Sequence, residues 1–210
     1  MRTIILGKEG SQPFPIKADG VSRQHARVTI DETNGWMLED LDSSNGTYVR
    51  DEENGELRRV VKIKITPMSF ICLGSDNAKG CSFYARQVLK ENYGNFTHEY
   101  EYLNEKEDDF DRQIEELEKT VVKQKKLIFL LNILVVIVSL IPSIDSEVRM
   151  NMLRIIPTVS AGFAAFYDAS SKKKLINTTR EKFHYCPNPL CSNKLKSSEI
   201  RDMKCTKCKK

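Results

Sequence analysis

Three groups of residues have the types and spacing to do chemistry. Ser22 and His25 stand three apart in DGVSRQHARVTI, with Arg23 between them. A serine near a histidine is the start of a nucleophilic dyad, but that chemistry also needs an orienting third group and an oxyanion hole. No glycine elbow accompanies this pair, so enzymatic hydrolysis is not expected. The same residues suit another task. A doubly charged phosphate needs hydroxyl and backbone N–H donors plus a cation, held in fixed loops. Ser22 is the candidate hydroxyl and Arg23 the charged fork. Twenty residues on, LEDLDSSNGTYV adds a second hydroxyl, Ser44, ahead of the turn pair Asn45 and Gly46. Asp40, Asp42 and Ser44 also begin like a calcium loop, but its sixth position must be glycine and here is Asn45.

The third group is at the other end of the chain. Cys186 and Cys191 are separated by four residues, Cys205 and Cys208 by two, and the pairs by thirteen. Two close pairs of soft ligands supply a tetrahedral metal site of the closed, structural kind. The alternative, two disulfides, is disfavoured by the compartment inferred below. His184 is near enough to be a substitute ligand, but four cysteines already complete the site. Cys72 and Cys81 sit in apolar or turn surroundings and read as buried thiols.

These groups need elements to hold them. The 210 residues suffice for one or two small domains, and a net charge of +4, mixed along the chain, gives no reason to expect a nucleic-acid partner. Over residues 1–95 short β-prone runs alternate with Gly/Asn turns, the pattern of an all-β sandwich. From 97 to 126 the chain is highly charged, with Phe110, Ile114, Leu117 and Val121 on one helix face. That predicts a helical stalk or a short coiled coil, through which a homo-oligomer would form. Two apolar stretches within 127–167, at 127–144 and 150–167, predict a two-helix membrane hairpin. Lysines flank both outer ends, which by the positive-inside rule puts both ends of the chain in the cytoplasm. The expectation is a membrane protein whose sandwich and cysteine tail face a reducing compartment.

Over the first 90 residues the sequence resembles the forkhead-associated (FHA) family. The resemblance rests on Leu6–Lys8, on VSRQHA at Val21–Ala26, on GWMLEDLDSSNGTYV at Gly35–Val49 and on SFICLG at Ser69–Gly74. It implies a sandwich whose loops at one end bind a phosphothreonine peptide. It further implies that Asn45 holds the peptide main chain, that Gly46 permits the tight turn, and that His25 buttresses the loops without touching ligand. The family's phosphate-contacting arginine falls on Lys8, which keeps the charge but loses bidentate geometry. The segment 183–210 resembles a zinc ribbon, with CPNPLC as its first knuckle and one structural Zn2+ per chain. Together these describe a non-catalytic, membrane-anchored adaptor for phosphothreonine-bearing proteins. The alternative is a structural subunit of a membrane assembly whose FHA fold contacts its partner without phosphate.

Overall fold

The structure is a computed structural model that describes residues 1–74, 80–142, 145–151, 154, 169–191 and 193–209. The chain divides into two compact units, one of Met1–Glu107 with Thr179–Lys210, the other of Asp108–Thr178.

The first unit contains the expected sandwich. Among the described residues eight strands run β1 Arg2–Leu6, β2 Ala26–Asp31, β3 Gly35–Asp40, β4 Thr47–Arg50, β5 Leu57–Val60, β6 Lys62–Ile65, β7 Phe70–Leu73 and β8 Cys81–Tyr84. They form two four-stranded antiparallel sheets, ordered β1-β2-β3-β6 and β5-β4-β7-β8. Alternation fixes the register: Val28 pairs with Leu38, and both turn inward with no exposed surface. Leu6, Phe14, Ile71, Leu73 and Phe83 complete the core between the sheets. Trp36 and Ile30 pack against its margin, whereas Ile63 is exposed. Cys72 and Cys81 are buried and form no disulfide, and burial, with Cys72 nearby, pushes the Cys81 thiol up to about 12.

Helix α1 spans Thr97–Ser139, so the charged stretch and the first apolar stretch form one helix. Its opening turns bury Glu99, Tyr100, Leu103 and Glu107, at helical spacing, in the first unit. In that unit the chain's C-terminal segment carries the cysteines, the short helix α3 Ser197–Arg201 and a β-bridge from Tyr185 to Lys194. The segment docks on the sandwich: Phe183 and Phe70 cover the Arg50 guanidinium, Tyr185 faces Phe70, and Cys81 approaches the Pro189 carbonyl.

The second unit holds the rest of α1 and most of helix α2, Ala169–Glu181, joined by an ion pair from Lys173 to Glu118 at 2.6 Å. Here the sequence expectation is corrected. Among the described residues no helix is long and apolar enough to cross a membrane, so the two-helix hairpin is withdrawn, and with it the membrane anchor. The apolar run that begins at Leu127 stays helical only to Ser139. At 1.5 Å per residue this is about 20 Å, against about 30 Å of hydrocarbon. The helix ends because Leu140 and Ile141 bond back only three residues, to Ile137 and Val138, and Pro142 follows with no N–H to donate. The second segment, 150–167, lies outside the described residues except at 150, 151 and 154.

Candidate functional site

The loops that join the strands at one end of the sandwich bring the N-terminal candidates together. Backbone bonds fix the first two loops: Lys8 N–H donates to the Ser22 carbonyl at 3.1 Å and Glu9 N–H to the Arg23 carbonyl at 2.9 Å. Gly7 permits this approach, since a Cβ there would lie 2.2 Å from the Arg23 oxygen. The third loop joins through side chains. The Asn45 amide donates to the Gly20 carbonyl at 2.8 Å, and the Ser22 hydroxyl sits 3.4 Å from the Ser44 N–H. Lys8, Arg23, Ser44 and Asn45 are exposed and Ser22 is half-buried. The five candidates therefore lie on three adjoining loops, and two of them, Ser22 and Arg23, wall a cavity of about 470 Å³ together with Glu9 and Gln24.

His25 explains why this is not a catalytic dyad. It has no exposed surface, and its Nδ1 accepts from the Ser22 backbone N–H at 3.0 Å, not from the hydroxyl. Its Nε2 lies 2.9 Å from the Gly46 carbonyl, which can only accept, so the ring is neutral with the proton on Nε2. One imidazole thus clamps the Ser22 loop to the Gly46 turn. Burial lowers its pKa below 6.5, partly offset by the Gly46 carbonyl and the Asp40 charge.

The sign of the pH effect follows. The unfolded chain takes up the proton first, so stability is unaffected above pH 6.5 and falls as pH drops from 6.5 towards the folded value. The limiting slope is about 1.4 kcal/mol per pH unit. Urea unfolding at stepped pH is expected to show this fall in the parent and not in His25→Ala. The variant itself should lose on the order of 3 kcal/mol through the two unpaired backbone groups. An identical slope in both chains would contradict the clamp.

The Asn45-Gly46 turn has its own support. Asp40 Oδ1 accepts from the Ser43 hydroxyl at 2.6 Å and the Thr47 hydroxyl at 2.5 Å, and Oδ2 accepts from the Ser43 N–H at 3.0 Å. Burial works against the Asp40 charge, but these donors hold its carboxyl below the usual range. The acidic run read as a calcium-loop decoy is therefore a turn brace. Gly46 has φ 82°, the left-handed region that glycine adopts freely.

Two residues at this surface were missed from sequence. Glu9 adds a carboxylate to the cavity wall. Arg59, on β5 opposite Tyr48, lays its side chain over Gly46, where a Cβ would meet its Nε at 2.5 Å. Tyr48 donates to the Asn45 carbonyl at 3.2 Å, so Arg59 and Tyr48 flank Asn45. No sequence spacing points to Arg59, because it arrives through strand pairing across the second sheet.

The second candidate site is the cysteine cluster. The sulfurs of Cys186, Cys191, Cys205 and Cys208 all lie within 4.8 Å of one another and could hold a metal ion. The Cys186–Cys208 and Cys191–Cys205 sulfurs are 3.7 Å apart. Four thiolates at 2.3 Å around a tetrahedral ion would stand about 3.8 Å apart, whereas a disulfide requires about 2.05 Å. Burial pushes the Cys186 and Cys191 thiols up, the latter to about 11, so these two would ionise only against a bound cation. Cys205 also suffers from burial, but the Cys208 and Lys207 N–H groups hold it down at about 7. His184 faces away from ligand duty, with its Nε2 2.5 Å from Glu107 Oε1.

No curated protein matches the chain. Among solved structures, the FhaA FHA domain complexed with the intracellular domain of Rv3910 shares 29% identity over 35% of this chain and 76% of its own, with a TM-score of 0.29. An FHA domain characterised for phosphothreonine-dependent interactions has 29% identity, 35% and 72% coverage and a TM-score of 0.28. The FHA domain of CT664 from Chlamydia trachomatis has 29%, 35%, 69% and 0.28. The family model for the FHA domain matches residues 4–74, the stretch that carries both cation-bearing loops and the Asn45 turn, so this part of the chain is similar to FHA domains.

Proposed function

We propose that the chain is a non-catalytic adaptor that binds phosphothreonine peptides through Lys8, Ser22, Arg23, Ser44 and Asn45. The observation that supports this reading is that the three loops bearing these residues are bonded to one another, through His25 and the Asn45–Gly20 bond. The Ser22 hydroxyl and the ammonium and guanidinium groups of Lys8 and Arg23 suit the phosphate; the Asn45 amide suits the flanking peptide backbone. Arg59 adds a further cation beside Asn45, in reach of a residue flanking the phosphothreonine. The match of residues 4–74 to the FHA-domain model supports the same reading.

The cysteine cluster is proposed to hold one structural Zn2+. The sulfur spacing supports it, and four cysteines leave no open position for catalysis. Thiolate ligation needs reduced cysteines, so the reading puts the chain in a reducing compartment.

The test is binding of the full chain to a phosphothreonine peptide library by calorimetry, with unphosphorylated peptides as control. Phosphate-dependent micromolar binding, about −8 kcal/mol, is expected. Ser22→Ala and Asn45→Ala should each weaken it by about 100-fold or more, and Arg59→Ala by about tenfold, with the sandwich still folded. Glu9 on the cavity wall and lysine at position 8 favour a second reading, phosphate-independent docking on the same loops. Equal affinity for both peptide sets would establish that reading and end the first.

A further inference from the structure

The four-residue strand β4 has the Asn45-Gly46 turn before it and Arg50 at its far end. Arg50 is 3% exposed yet makes no ion pair among the described residues. Its guanidinium faces are covered by Phe70 at 4.1 Å and Phe183 at 4.5 Å. Its edges meet only neutral acceptors, the Lys182 carbonyl at 3.3 Å and the Tyr84 hydroxyl at 3.0 Å, and its Nε has no partner. Buried guanidinium groups are ordinarily matched by an anion, because desolvating a lone charge is costly. The Phe70 and Phe183 rings offset part of that cost, but they do not supply a counter-charge.

Beside Arg50 opens a cavity of about 400 Å³, within the size range of small-molecule sites. Arg50, Ser82, Lys182 and Tyr185 give its wall cations and hydroxyls, while Leu57 and Phe70 give it an apolar side. Lys182 is paired with Glu56 at 3.2 Å, so these three ionised groups leave the wall with one net positive charge. The hydroxyls of Ser82 and Tyr185 have no hydrogen-bond partner among the described residues. Hydroxyl donors and an unmatched cation next to an aromatic ring make a wall suited to an oxyanion on a flat body.

We propose that this cavity, between the sandwich and the cysteine segment, binds a small organic oxyanion, a carboxylate or phosphate monoester on a flat apolar body. The oxyanion takes the Arg50, Ser82 and Tyr185 side, and the body lies along Phe70 and Leu57. The site is separate from the loops around Ser22 and is built by both ends of the chain, since Lys182 and Tyr185 come from the C-terminal segment. Its occupant would therefore stabilise the docking of that segment.

The test follows the Arg50 side-chain Nε–Hε signal of the 15N-labelled full chain, identified by its loss in Arg50→Lys. The probes are benzoate, phenyl phosphate and inorganic phosphate. Benzoate or phenyl phosphate is expected to shift that signal saturably, with Kd at or below about 1 mM, and which of the two binds more tightly identifies the headgroup. Inorganic phosphate should bind at least about tenfold more weakly; equal binding would overturn the apolar half of the assignment. Ser82→Phe fills the cavity while keeping Arg50 and both of its ring partners, and should abolish the shift while leaving phosphopeptide affinity unchanged. Ser22→Ala should leave the shift intact. No saturable shift with either aromatic probe, or a shift that survives Ser82→Phe, overturns the site.

Discussion

Replacing Cys205 by serine is expected to empty the metal site, from about one zinc per chain to a trace, and to lower the midpoint of thermal unfolding by about 10 °C or more. The metal loss follows from geometry: Cys205 is fully buried, its sulfur 3.7 Å from that of Cys191, and a serine hydroxyl is a poor soft-metal ligand. The stability loss follows from what the metal organises. The C-terminal segment has few apolar residues of its own at its centre, Phe183, Leu195 and Ile200. Zinc-dependent segments of this size take on the order of 10 kcal/mol of folding energy from the ion. Because Phe183 and Tyr185 lie against Arg50 and Phe70, unravelling the segment also uncovers the sandwich surface beneath it. Elemental analysis and thermal unfolding of parent and variant, each with and without chelator, provide the check. A parent without metal, or a variant that melts with the parent, would refute the site.

The sandwich was legible in the sequence because antiparallel strands with one face inward write their burial as alternation. Alternation assigns Val28, Ile30, Trp36, Leu38, Ile63, Ile65 and Ile71 to the core; Val28, Leu38, Ile65 and Ile71 are buried there, Ile30 and Trp36 lie at its margin, and Ile63 is exposed. The loop residues were legible for a different reason: Ser22, His25, Asn45 and Gly46 are local signatures whose spacing survives in the linear chain. Arg59 was not, since only the pairing of β4 with β5 carries it to Gly46. Nor was the merging of the two chain ends. The opening of α1 reads as a charged helix, and the buried carboxylates Glu99 and Glu107 look like solvent-facing positions until Arg86, Gln87, Arg180 and His184 arrive from remote segments. The membrane hairpin was misread because hydropathy counts residues without seeing where the helix stops. The apolar composition of Leu127–Ile141 is real, and Phe129, Leu130 and Leu140 remain well exposed, but the helix closes at Ser139.

Glu107 is where the second large effect is expected: Glu107→Ala should cost about 3–5 kcal/mol, measured by urea unfolding at pH 7. Its residue is 1% exposed, and its carboxylate accepts from Arg180 Nε at 2.9 Å and His184 Nε2 at 2.5 Å, with Arg180 Nη2 on the other oxygen. Removing it takes the buried carboxylate and its hydrogen bonds away from the Arg180 side chain, which is 17% exposed, and frees the His184 ring just before the first cysteine knuckle. Burial alone would raise the Glu107 pKa, but the bonds from His184 and Arg180 win and bring it down to about 2. The folded value therefore lies below the unfolded one. The carboxylate's contribution is complete above about pH 4.5 and is lost as pH falls towards 2. Glu107→Gln keeps the shape and part of the hydrogen bonding without the charge, so it should fall between parent and alanine at pH 7 and converge with the parent near pH 2. A loss below about 1 kcal/mol in the alanine variant would mean that the triad is a surface-like ion pair and not the bond that joins α1 to the cysteine segment.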